Sequence, residues 1–151
     1  MKKDEILSEK IKTALISTFK VISLKFDKNK LEDFDKKTTD FISQNKEIVV
    51  KNFDNLRAEF DTEALKHGFS DKTVLKNNLP QKNTQITLYK IAERIRCEII
   101  GINMYFGINK NINKYYDNKI NLNNKLKIDT IEDAPVSKAF ELYMIKNFLG
   151  I

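Results

Sequence analysis

The chain has 151 residues, of which 41% are hydrophobic and 32% charged, and a formal net charge of +6. This is the composition of an ordinary soluble globular protein, long enough to bury a real core as one domain, and no apolar run approaches the roughly 20 residues needed to span a bilayer. Cys97 is the only cysteine, so an internal disulfide is excluded, and four glycines with two prolines leave little material for many tight turns, which favours helices.

Asp4–Lys20 reads as a first helix, with Ile6, Leu7, Ile11, Ala14, Leu15, Thr18 and Phe19 on its apolar stripe. Ile22–Phe26 then alternates, and Lys125–Thr130 is the one other alternating stretch, which leaves open a small two-stranded element. Asp27–Thr39 is polar and weakly periodic, a solvated loop or a short surface helix. A second long helix is predicted from Lys46 to Lys66, carried by Ile48, Val49, Phe53, Leu56, Phe60, Ala64 and Leu65 and closed by His67-Gly68. Ser70 or Asp71 caps a further turn, and Pro80 separates that turn from the central helix.

Thr84–Gly101 is the central element. Thr84 is a candidate N-cap, Gly101 a candidate end, and Leu88, Ile91, Ile95, Ile99 and Ile102 share one face, while Cys97 and Ile100 fall nearly opposite. A helix apolar on two sides lies between layers, yet this one carries Glu93, Arg94, Arg96 and Glu98. Glu98 projects at the margin of the apolar face, where a charge needs a partner. The periodicity resumes through Met104, Ile108, Ile112 and Tyr115-Tyr116, with Gly107 as a kink or a close helix contact. Asn118–Asn124 reads as a turn-rich loop, and Val136–Leu149 as a last helix with Phe140, Met144, Ile145 and Phe148 inside and Gly150 just beyond. The fold class is therefore mainly α, a helical bundle around residues 84–101.

Motifs for catalysis are mostly absent from the sequence. There is no G-x-x-x-x-G-K-[ST] phosphate cradle and no H-E-x-x-H, and one His with one Cys does not make an ordinary zinc site. Cys97 sits mid-helix as a structural thiol, and His67 serves a helix C-terminus. Glu93 and Glu98 project too far apart for an acid–base pair, and ion pairing with Arg94 and Arg96 accounts for them. Tyr115-Tyr116 with Lys110, Lys114 and Lys119 has the makings of a base-stacking surface, which packing tyrosines explain equally well. The net charge invites a nucleic-acid partner. Against it, only Arg57, Arg94 and Arg96 are arginines, and the lysine, asparagine and isoleucine enrichment is what AT-rich coding gives for any function. The N-terminus shows no signal peptide, so a cytoplasmic location is expected.

Glu93-Arg94-Ile95-Arg96-Cys97-Glu98-Ile99-Ile100-Gly101, followed by Asn103-Met104, Gly107-Ile108 and Asn111, resembles the E-x-x-R-x-E-x-x-G pattern of the N-terminal region of the cobaltochelatase CobT subunit. Leu56-Arg57-Ala58 with Asp61 and Ala64-Leu65 is similar to that family's L-R-[GA]-x-x-D-x-x-A-L helix. Ser70-Asp71 stands where the family tends to have His-Asp, so the imidazole is missing there. Glu132-Asp133-Ala134-Pro135 with Ala139 resembles the E-[DE]-x-P-[LV]-x-x-A segment that opens the last helix. The four pieces fall in order across Leu56–Gly150, whereas the first 50 residues match in general character alone.

Arg57 and Arg96 occupy positions where the family pattern also has arginine. In a lysine-rich chain, arginine is favoured where a planar fork must hold a carboxylate bidentately. The expectation is an inter-helix network of Arg57 and Arg96 with Asp61, Glu93 and Glu98, with no catalytic or metal-binding residues. The resemblance implies a part in the aerobic cobaltochelatase, in which a large catalytic subunit binds the corrin, an AAA+ subunit hydrolyses ATP, and the CobT-type subunit couples them. ATP, Mg and cobalt are then implied for the wider complex, with no cofactor on this chain. Full-length members end in a von Willebrand A-like domain with a D-x-S-x-S metal site. That motif does not occur here, so an excised N-terminal domain or a truncated relative is expected. The other readings are a basic helical nucleic-acid-binding module, with strongly salt-dependent affinity, and a general interaction scaffold.

Overall fold

The computed structural model describes residues 2–22, 32, 35–36, 38–40, 52–125 and 135–150. Its contacts divide the chain into two compact units, Met1–Gly68 and Phe69–Ile151. The described residues are almost wholly helical, and the fold is mainly α. The alternating stretches considered for strands lie outside the described residues except at their edges, where Ile22 and Lys125 each end a helix.

In the first unit, α1 (Lys2–Ile22) lies beside α2 (Phe53–Phe69). Ile11 and Leu15 form one apolar cluster with Leu56, against which Phe53 and Phe60 pack. Further along, the Phe19 ring meets His67 edge-on at 5.6 Å, and the Ile22 carbonyl faces Gly68. The buried stripe of α1 is Ile11, Leu15, Ile16, Phe19 and Ile22. Ile6 and Ala14, expected on that stripe, are exposed. The start expected for the second helix at Lys46 lies outside the described residues, and the described helix runs through Gly68 to Phe69.

The second unit starts at the end of α2. Asp71 caps the short α3 (Lys72–Asn77), its carboxylate accepting the Thr73 and Val74 amides at 2.8 and 3.1 Å. Of the two residues proposed for this cap, Ser70 is otherwise engaged, donating to Glu93 at 2.6 Å. The central helix α4 (Asn83–Met104) is longer than expected at both ends. Lys82 holds the N-cap position without a side-chain bond, and Thr84 lies inside the first turn. Gly101 does not end the helix. It is buried, and the chain leaves helical geometry at Tyr105 (φ −132°, ψ 106°), whose amide bonds back to the Gly101 carbonyl at 2.8 Å. The break therefore belongs to Tyr105, and Gly107 is neither kink nor close contact, since a Cβ there would meet nothing within 4 Å.

After this corner α5 (Phe106–Lys125) runs straight through Asn118–Asn124, which the asparagine content had suggested as a loop. Ile108, Ile112 and Tyr116 recur every four residues on its buried face. That packing outweighs the modest helix cost of asparagine, a few tenths of a kcal/mol each, roughly. The last helix, α6 (Val136–Met144), passes directly into a π-turn (Ile145–Leu149), and Gly150 closes it in the left-handed region at φ 72°. The wider i→i+5 turn rotates the chain less per residue. Ile145 stays buried while Phe148, expected inside, is turned out to 55% exposure. Phe140 and Met144 are half-buried. The helix α4 is the hub of this unit, touching α5, α6 and the π-turn.

Candidate functional site

The charged residues of α4 sit on a helix whose neighbours cover two of its sides, so their partners come from those neighbours. Glu98 is 2% exposed. Its Oε2 accepts the Tyr116 hydroxyl of α5 at 2.7 Å, and its Oε1 lies 3.8 Å from Arg94 Nε one turn back. The latter distance makes a coulombic contact rather than a hydrogen bond. Arg94 reaches across to α6, where its terminal nitrogen donates to Glu141 Oε1 at 2.7 Å. Lys119 of α5 donates to the same oxygen at 2.8 Å, and Lys138 lies 3.7 Å from Oε2. Lys119 also stands over the rings of Tyr115 and Tyr116, at 5.6 and 5.9 Å. One continuous set of contacts, Tyr116–Glu98–Arg94–Glu141–Lys119, thus ties the three long helices of the unit.

Burial pushes the Tyr116 phenol far above its usual value, and the neighbouring Glu98 adds to the shift. Tyr116 is therefore a proton donor fixed on Glu98. Burial also raises Glu141, but Lys119 and Arg94 outweigh it and hold the carboxyl below its usual range.

Arg96, half-exposed, faces the other way. Its Nε donates to Glu93 Oε2 and its terminal nitrogen to Oε1, both at 2.8 Å, a bidentate fork, while the same terminal nitrogen donates to the Phe69 carbonyl at 2.7 Å. The buried Cys97 thiol lies beside this pair, 3.6 Å from Arg96 and 3.9 Å from Glu93. The group ties α4 to Phe69 and Ser70, the first residues of the second unit. Arg96→Lys keeps the charge and loses the fork, and about 1 kcal/mol of stability should go with it, the exposure of the pair limiting the effect. Equal denaturation midpoints for the two proteins would show that the fork contributes nothing.

In the first unit Arg57 bridges two helices. Its Nε lies 3.2 Å from the buried Asp61, and its terminal nitrogens bond to the Thr18 hydroxyl and, at 3.4 Å, to the Ala14 carbonyl of α1. The five residues expected in one network therefore fall into three groups. Arg57 with Asp61 belongs to the first unit; Arg96 with Glu93, and Glu98 with Tyr116 and Arg94, belong to the second. Arg94, which the sequence paired with the glutamates of α4, joins Glu98 to Glu141, while Tyr116, Glu141, Lys119 and Lys138 were missed as members. Tyr116 had left a signal, since it extends the Ile108, Ile112 spacing and so had to bury its hydroxyl. With Tyr116 buried, only Tyr115 of the pair keeps part of its ring in solvent.

The carboxylates also set a pH dependence. Glu63 is held near 2 instead of 4.5, first by its bond to His67 and then by Lys66, against a burial that raises it. Glu93 is lowered chiefly by Arg96, with burial opposing and Ser70 assisting. The unfolded chain takes up protons on these groups before the folded one does. Their stabilisation is therefore complete above about pH 5 and is lost progressively as the pH falls below it. Urea midpoints measured at about pH 5 and pH 3 should differ clearly, with the lower pH less stable. A flat profile over that range would show that these pairs do not stabilise the fold.

Among the described residues, no three His, Cys, Asp or Glu side chains gather as a metal site would need, and no helix is long and apolar enough to cross a membrane. The arrangement is one of inter-helix tethers. The family model described as cobalamin biosynthesis protein CobT matches residues 7–150. The chain belongs to the CobT family. That match takes in both units and reaches well into the first 50 residues, where the sequence motifs were uninformative. No curated protein and no solved structure matches the chain. All four stretches that carried the resemblance touch described tethers or helix starts of this CobT-family chain: Arg57 with Asp61, Ser70-Asp71 bonded to Glu93 and capping α3, the Glu93–Gly101 segment, and Pro135 opening α6.

Proposed function

We propose that this chain is a non-catalytic interaction domain of a cobaltochelatase CobT-type subunit, which couples an AAA+ ATPase to cobalt insertion into a corrin ring. Membership of the CobT family carries the reading. ATP and magnesium belong to the ATPase in this scheme, and cobalt is the substrate of the large catalytic subunit. Two features support a binding role for the chain. Glu98, Glu141, Glu93 and Asp61 are committed to partners that hold its own helices together. At the same time large apolar side chains, Met104, Phe106, Val136, Tyr143 and Phe148 among them, stand in solvent. Light scattering of the chain mixed with the AAA+ subunit, with and without Mg-ATP, tests the proposal. An ATP-dependent complex is expected, and two separate species under both conditions would overturn it.

A further inference from the structure

Around Glu141 the donors outnumber the acceptors. Arg94 and Lys119 both donate to its Oε1, at 2.7 and 2.8 Å. The nearest cation to Oε2 is Lys138, at 3.7 Å, too far for a hydrogen bond. Among the described residues Lys138 therefore has an attracting charge but no acceptor. Arg94 Nε is shut off from solvent and also lacks one, since the Glu98 oxygen stands 3.8 Å away. A buried donor without an acceptor is uncommon, because it has lost its water and gained nothing in exchange. The charges are unequal as well. Arg94, Lys119 and Lys138 face Glu98 and Glu141, which leaves one positive charge in excess.

Two of these cations are within reach of solvent. The side chain of Lys119, on α5, is 30% exposed and that of Lys138, on α6, 22%. Their ammonium groups converge on the two oxygens of one carboxyl group, and a second carboxylate can bridge them in the same way. Tyr115 is half-buried with its ring 5.6 Å from the Lys119 ammonium, an apolar wall for the carbon stem of a ligand. The surplus selects the charge of that ligand. A monoanion balances it, whereas a phosphate dianion overshoots it and is repelled by Glu98 and Glu141. We infer that Lys119 and Lys138, with the Tyr115 ring alongside, bind a carboxylate monoanion, the charge of Arg94 behind them adding to the attraction. The carboxylate belongs either to a small organic acid or to an acidic side chain of a partner protein, and the chemistry is the same for both. The site stands on the surroundings of Glu141 and does not depend on the coupling role.

The test titrates the wild-type chain with sodium acetate and, at equal ionic strength, with sodium chloride, followed by amide NMR. Acetate should give saturable shifts centred on Tyr115–Lys119 and Lys138–Glu141, and chloride should not. Lys138→Met should raise the half-saturating acetate concentration about tenfold or more, the loss of a bond to a charged group. Lys146→Met, on the exposed π-turn and outside the cluster, should leave it unchanged. Circular dichroism shows whether each variant keeps its helix content, and if Lys138→Met does not, the wild-type comparison of acetate with chloride decides alone. Indistinguishable responses to acetate and chloride would overturn the site, as would equal weakening by Lys138→Met and Lys146→Met. A capped tri-glutamate peptide separates the two sources of carboxylate. Saturation of the same signals at a much lower concentration per carboxylate than acetate assigns a protein partner, and equal concentrations assign a small acid.

Discussion

Arg94→Met lowers the stability of the second unit by about 3–5 kcal/mol, the cost of removing one partner from buried charges. The side chain of Met occupies similar space along the stem, so the loss reports the guanidinium and not a cavity. Arg94 stands between two carboxyl groups, 2.7 Å from Glu141 and 3.8 Å from the buried Glu98. Without it both lose a cation while remaining out of water. Adding Glu98→Gln and Glu141→Gln to Arg94→Met should recover part of the loss, because neutral groups are less costly to bury than unpaired charges. Urea denaturation followed by circular dichroism measures both steps. A midpoint unmoved by Arg94→Met would show that Lys119 and Lys138 neutralise the site without help.

Tyr116→Phe costs about 2 kcal/mol, within the range for a hydrogen bond to a charged group. The ring is 1% exposed on the Ile108, Ile112 face, and phenylalanine preserves that packing. The variant removes the donor 2.7 Å from Glu98, leaving a carboxyl oxygen with one bond fewer in an interior that admits little water. Tyr116 and Arg94 act on the same carboxyl group, so the double variant should lose less or more than the sum of the two, by about 0.5 kcal/mol or beyond. Strict additivity would mean that the two contacts are independent and that the five side chains do not act as one network.

At Asn118–Asn124 and at Gly101, tertiary packing outweighed local propensity. Asparagines near residue 120 argued for a loop, yet Ile108, Ile112 and Tyr116 supply a buried stripe and the helix continues through them to Lys125. Gly101 argued for a helix end, but it is buried on α4 and the chain turns at Tyr105 instead. Phe148 had the spacing of a core residue, and the π-turn rotated it into solvent.

By itself the sequence determined that the chain is mainly helical, that Glu93–Gly101 lies on a helix needing partners on two sides, and that the protein resembles the CobT family. Periodicity, which is local, and residue patterns, which need no coordinates, suffice for all three. The pairs three or four residues apart on one helix were also legible, whereas the contacts between helices were decided only by the tertiary structure. Glu141 stands 47 positions from Arg94 and Tyr116 stands 18 from Glu98, and no local spacing relates them. The inner face of the last helix was legible as far as Ile145, and only the tertiary structure shows that Phe148 leaves it.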